Sequence, residues 1–228
     1  DGDLNAHDSS YVTNEGTVGG DANVDGANAQ LINNGYITGA ANVSAGAFYN
    51  NDDGEVHGRA NVTGDGYFDN DGGTVDGGAV VNGVNAAFDN EDGGEVDGGV
   101  ELDAGTFDNY FNSRVYDGVT VNGGTFENHF NGRVYDGVTL NNDGIFNNDV
   151  GGQVHGGAVV HDGTFTNDGT VYGDASNIAI TQDGGQVDNS GSLAGSADVS
   201  GTGIFTNTGT VNHNVTVSCT GEFDNNGG

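Results

Sequence analysis

The chain contains no proline, methionine, tryptophan or lysine, and a single cysteine. One cysteine permits no internal disulfide, and Cys219, set between Ser218 and Thr220, has no histidine or second cysteine at a metal-ligand spacing. Three arginines against 34 acidic residues give a net charge of −31. Such a surface repels phosphate backbones and anionic headgroups, which excludes nucleic acid and membrane surfaces as main partners. Apolar runs are a few residues long, so none inserts across a bilayer. No basic-then-apolar leader and no initiator methionine opens the sequence, which reads as a mature or excised segment.

Glycine is what the chain has most of, 45 residues in 228, and only 33% of the sequence is hydrophobic. That composition borders on the disordered class. Periodic order argues against disorder. An apolar residue followed two positions later by Asn recurs twelve times, 17 to 22 residues apart: Val12/Asn14, Leu31/Asn33, Phe48/Asn50, Phe68/Asn70, Phe88/Asn90, Phe107/Asn109, Phe126/Asn128, Phe146/Asn148, Phe165/Asn167, Val187/Asn189, Phe205/Asn207 and Phe223/Asn225. Below, coils 1 to 12 are numbered by these pairs.

Each copy holds three short segments of period-two alternation, such as Ala60-Asn61-Val62, Phe68-Asp69-Asn70 and Thr74-Val75-Asp76, with Gly, Asn or Asp between them. Alternation sends Ala60, Val62, Phe68, Asn70 and Val75 to one face and Asn61, Asp69, Thr74 and Asp76 to the other. Closing each copy on itself and stacking it on the next predicts an all-β fold: a single parallel β-solenoid (β-helix) of about twelve three-strand coils of about 19 residues. One domain over 1–228 without linkers, coiled right-handed, is expected. At about 4.8 Å per coil the rod is roughly 55 to 60 Å long. The inward residues form a Phe ladder, a Val ladder, an Ala/Val ladder and an Asn column that serves the backbone at one corner. Proline would delete inter-coil hydrogen bonds, and its absence fits.

The segments Gly163-Thr-Phe-Thr-Asn-Asp-Gly-Thr-Val171 and Gly203-Ile-Phe-Thr-Asn-Thr-Gly-Thr-Val211 resemble autotransporter and adhesin β-solenoid repeats of bacterial surface proteins, and the resemblance extends over all twelve coils. It implies a non-enzymatic protein, extracellular or at the cell surface.

Outward residues stack as well. Asp69, Asp89, Asp108 and Glu127 form one acidic column, and Asp76 with Asp97 a shorter one. Like charges at coil spacing are costly unless screened. The columns are therefore either a ladder for Ca²⁺ or another hard cation, or a solvated acidic face; no other cofactor is expected. Coils 6 and 7 are near duplicates, Asn109 to Asp117 and Asn128 to Asp136, and carry Arg114 and Arg133. Tyr116, Tyr135, His155 and Tyr172 make an aromatic column beside them, suited to stacking on glycan rings or docking a neighbouring rod, or else to cross-strand pairing with an Arg114–Glu95 contact. Asn42, Asn61 and Asn214 begin N-glycosylation sequons and are read as one outward position on the first strand.

Polysaccharide-cleaving β-helices need convergent acids and bases on long insertions, and an ice-binding solenoid needs stacked outward threonine pairs. The chain offers dispersed histidines and one such pair, Thr164 with Thr166, so no enzyme is expected. Both ends read as uncapped. Coil 12 stops at Gly228 before its third strand, and Asp1 opens in strand-like sequence, which predicts head-to-tail stacking of the chain on itself. The alternative is one stretch of a longer adhesin stalk.

Overall fold

The computed structural model describes residues 2–227. Asp1 and Gly228, on which the reading of the open ends partly rests, lie outside the described residues. Among the described residues 31 strands pair in parallel, in one sheet of 20 strands and one of 11. Partners stand one coil apart: Phe48 pairs with Phe68, Phe68 with Phe88, and so on through Phe107, Phe126, Phe146 and Phe165. The chain is a parallel β-solenoid of about twelve turns, about 19 residues apart.

Three ladders run along the rod, and the first two join into one sheet where their strands merge. In four successive coils the first and second strands run on as one, Ala41–Asn50, Ala60–Asp71, Ala79–Glu91 and Val100–Asn109. Elsewhere they are separate, as in Val119–Val121 and Thr125–Asn128. In the merged coils the corner keeps pairing with its neighbour while the chain bends, and register shifts such as those between Val43 and Ala45 and between Asn82 and Ala87 absorb the unequal corner lengths.

Phenylalanine fills the core from coil 3 to coil 9. Successive rings lie 4.6–5.3 Å apart with interplanar angles of 4–11°, all fully buried. Beside them the Asn column forms an unbroken chain of side-chain hydrogen bonds. Nδ2 of each Asn donates to Oδ1 of the next at 2.7–2.8 Å, from Asn14 to Asn225. The second amide proton reaches a corner carbonyl, for example Gly54 O at 3.1 Å from Asn50 and Gly73 O at 2.9 Å from Asn70. Here glycine is required by space: a Cβ on Gly132 would lie 2.3 Å from Asn109 O and 2.5 Å from Asn128 Oδ1. Coil 6 places the buried Ser113 at this corner instead, and its Oγ accepts from Gly93 N at 3.1 Å.

The aliphatic column Val62, Val81, Leu102, Val121, Leu140 and Val160 is interrupted by Gln182 before Val199. Gln182 is fully buried, and its Nε2 donates to Gly185 O and Ile204 O, both at 3.0 Å. The same coil carries an extra turn stapled by Asp174, whose Oδ1 accepts from Ser176 N at 2.8 Å and Ile178 N at 2.9 Å.

Replacement of Phe126 by Ala should cost about 3–5 kcal/mol, since its ring is held between those of Phe107 and Phe146 and the hole cannot collapse. Asn109→Leu should cost about 2–5 kcal/mol by orphaning the Asn90 donor and the Asn128 acceptor. Thr125→Ala, on the outer face of the same strand, should stay within about 0.5 kcal/mol. Chemical denaturation of the three variants measures the contrast, and equal midpoints would be incompatible with this inward and outward assignment.

Candidate functional site

The acidic column exists as a register. Asp69, Asp89, Asp108 and Glu127 pair in turn, between Tyr49 at one end and Asn147 at the other. All four are half-buried rather than freely solvated. Burial, and then the carboxylates of Glu91, Asp89 and Asp71, push Asp69 up to about 7. Burial followed by Asp89 raises Asp108 to about 6, with His129 opposing. Asp89 is also raised by burial, against a hydrogen bond that Tyr67 Oη donates to its Oδ2 at 2.7 Å. Burial raises Glu127, while Asn147 Nδ2 donates to its Oε1 at 2.9 Å and lowers it. As a carboxylate Asp69 leaves a buried Oδ1 without a donor; as an acid it can donate to Glu91, a further cause of its raised value.

Alignment in register does not make a ligand set. Among the described residues, three metal-ligating side chains converge at Glu127, His129 and Asp149, whose ligand atoms lie within 4.8 Å of one another. Glu127 is the one member of the sequence-read column in that group. Asp76 is exposed, and Asp97 is half-buried and raised by burial, then by Glu95, Asp76 and Asp117.

Asp76 and Asp97 turn out to share a column with the aromatics, because Val75, Val96, Val115 and Val134 pair in sequence and carry their following residues with them. Tyr116, Tyr135, His155 and Tyr172 stack at 5.0, 4.9 and 4.5 Å with interplanar angles of 8, 11 and 5°. Each inner ring is therefore covered on both faces, and the strip shows edges to solvent. A sugar stacks on a ring face, and only the outermost faces are left for it. Arg114 Nη1 meets Glu95 Oε1 at 2.5 Å, whereas Arg133 stands in register with Arg114 and lowers His155 after the larger effect of burial.

The corner just before this column carries two exposed rings that strand alternation does not assign. Phe111 and Phe130 are 47% and 65% exposed, stack 6.0 Å apart, and sit at positive φ of 52° and 36°, a conformation bulky side chains avoid. Val150 extends this apolar corner to coil 8 and is 75% exposed. The repeated Tyr110-Phe111-Asn112 and His129-Phe130-Asn131 were the signal available in the sequence.

The sequons need a correction. Asn42 and Asn61 do share an outward position, and there they belong to a second amide ladder: Asn23 donates to Asn5, Asn42 to Asn23 and Asn61 to Asn42 at 2.8–2.9 Å. Asn214 does not share it. Val215 pairs with Ala197, which makes Thr216 the outward equivalent and leaves Asn214 exposed, one residue before the strand. The strand begins where its alternation meets the coil beneath, and the sequon spacing carries no information about that.

No protein-family model matches the chain, and no curated protein matches it. Among solved structures it is similar to a TibC-catalysed, hyper-glycosylated TibA fragment at 13% identity and a TM-score of 0.38, covering 98% of this chain and 95% of that one.

A raised carboxyl pKa stabilises the fold below the unfolded value of about 3.9, and this stabilisation is lost as pH rises through the folded value. For Asp69 the loss runs from about pH 4 through about 7. Asp69→Asn should therefore raise the melting temperature at pH 8 and flatten the slope between pH 5 and 8. A variant less stable than the parent at pH 8 would contradict the assignment.

Proposed function

We propose that the chain is a non-enzymatic extracellular structural protein, a rigid solenoid rod that stacks head to tail into a surface filament or matrix. The supporting observation is the state of the outermost described coils. Interior members of the core columns are fully buried, yet Val211, Val215 and Phe223 are only partly buried and Val217 is 46% exposed. A groove of about 370 Å³ lies there, lined by Val211, Val215, Phe223 and the end of the Asn ladder. At the opposite end Leu4, Val12 and Val18 are partly buried and Tyr11 is 66% exposed. Half-covered ladders of this kind are the surface that a further coil, supplied by a second copy of the chain, would cover. The non-enzymatic reading draws on regularity: carboxylates recur at coil spacing rather than as a separated acid and base.

Contact between ends must overcome repulsion between bodies of charge −31. At about 1 M salt the Debye length falls to about 3 Å, so growth should be promoted by salt. Electron microscopy and light scattering should show rods lengthening with ionic strength, and a polar capping coil added after Gly228 should stop growth with the fold intact. A monodisperse monomer at high salt, capped or not, would refute stacking.

The same rod as the stalk of a longer adhesin, binding glycan or Ca²⁺ through its outward ladders, is the second reading. The half-buried acidic column favours the ion, because a cation there would offset the burial, and after it the repulsion, that raise Asp69 and Asp108. Ca²⁺ should then raise the melting temperature above that in EDTA at matched ionic strength, and coincident curves would dismiss it.

A further inference from the structure

We propose that Glu127, His129 and Asp149 bind one divalent transition-metal ion of the Zn²⁺ type. The site follows from the stacking itself. Glu127 and His129 flank the inward Asn128, so both point outward from one coil. Asn128 pairs with Asn148, which brings Asp149 of the next coil beside His129. Backbone hydrogen bonds fix the two strand ends: His129 N donates to Asn109 O at 2.9 Å and Asp149 N to Asn128 O at 3.0 Å. The three ligand atoms lie within 4.8 Å of one another, and His129 Nδ1 contacts Asp149 Oδ2. Ligands about 2.0–2.2 Å from a shared ion need only small rotamer adjustments from that separation.

The donor set selects the metal. Imidazole nitrogen and carboxylate oxygen are both zinc ligand types, three of them leave a fourth position open, and two carboxylates with a neutral imidazole balance a divalent charge. Calcium and magnesium prefer oxygen alone, so the histidine separates this site from the oxygen-only column beside it. Asn147 holds Glu127 by its Oε1, which leaves Oε2 for the ion. Tyr110 and Phe130 lie at 6.4 and 6.2 Å from the imidazole and restrict water around it. The other histidines contacting carboxylates are more open: the His129 side chain is 26% exposed, against 57% for His7, 45% for His57 and 50% for His161.

The test titrates the full chain, freed of metal with EDTA, with ZnCl₂ by calorimetry, with CoCl₂ by visible absorption, and with CaCl₂ at matched ionic strength. One equivalent of Zn²⁺ is expected, with Co²⁺ giving d–d absorption. His129→Ala and Asp149→Asn should each lose this equivalent, Asn147→Ala should weaken it about 10–100-fold, and His57→Ala and His161→Ala should retain it. All of these positions face outward, and circular dichroism of each metal-free variant verifies the fold. Asp149→Asn, the smaller change, decides the matter should His129→Ala fold poorly. Zn²⁺ binding no tighter than Ca²⁺, or full stoichiometry surviving in His129→Ala or Asp149→Asn, overturns the proposal.

Discussion

Each inward asparagine between the ends of the ladder engages both its neighbours at once, as Asn70 does, donating to the amide one coil ahead and accepting from the one behind, while its remaining proton holds a corner carbonyl. Twelve amides joined in this way form a single polarised chain through the length of the rod. A slip of one residue in any coil would turn that coil's Asn outward and leave buried donors and acceptors unmatched on both sides. The Phe stack alone could not impose this, since apolar contact is non-directional and Leu31 or Val187 substitutes in the same column. Register is therefore held by the amides and stability is supplied largely by the rings and aliphatic columns beside them.

Much else follows from that constraint. With the Phe-x-Asn strand pinned, length can vary elsewhere, which explains coils that differ by up to five residues and an Asn-to-Val corner of four to six steps. Glycine is needed where the chain passes beneath the ladder, and Ser113 is tolerated where its hydroxyl serves a neighbouring amide. Pinning also forces like residues together on the outside. The acidic column is relieved at one end by Asn147, which donates to Glu127, and along its flank by Tyr67, which donates to Asp89. The aromatic column resolves the same crowding by stacking its rings, which hides their faces.

Coil spacing also governs what chemistry the surface can support. Groups on one column stand side by side, but a ligand set needs atoms that converge from different columns. Glu127, His129 and Asp149 converge because they occupy adjacent outward positions on two neighbouring coils at a strand end, where the backbone starts to turn. Asp69, Asp89 and Asp108 belong to no such set of histidine and carboxylates among the described residues, and their pKa values are raised by burial first, with neighbouring carboxylates adding to it for Asp69 and Asp108.

The sequence alone determined the solenoid, its period, the inward ladders and the stacking of Asp69 with Asp89, Asp108 and Glu127 and of Tyr116 with Tyr135. Every coil must place the same residue type in the same environment, so a repeat distance and a two-residue alternation suffice to assign Phe126 inward and Glu127 outward. Tertiary structure decided whatever depends on corners and on the lateral distance between columns. It merged two strands into one in coils 3 to 6, moved Asn214 off the column of Asn42 and Asn61, half-buried the acidic column, and exposed Phe111 and Phe130 at left-handed turns. It also set Glu127 beside the stacked His129 and Asp149, across two columns. Periodicity records which residues stack along the axis, whereas contacts across the surface depend on how each corner bends, and corners are where the repeat is least regular.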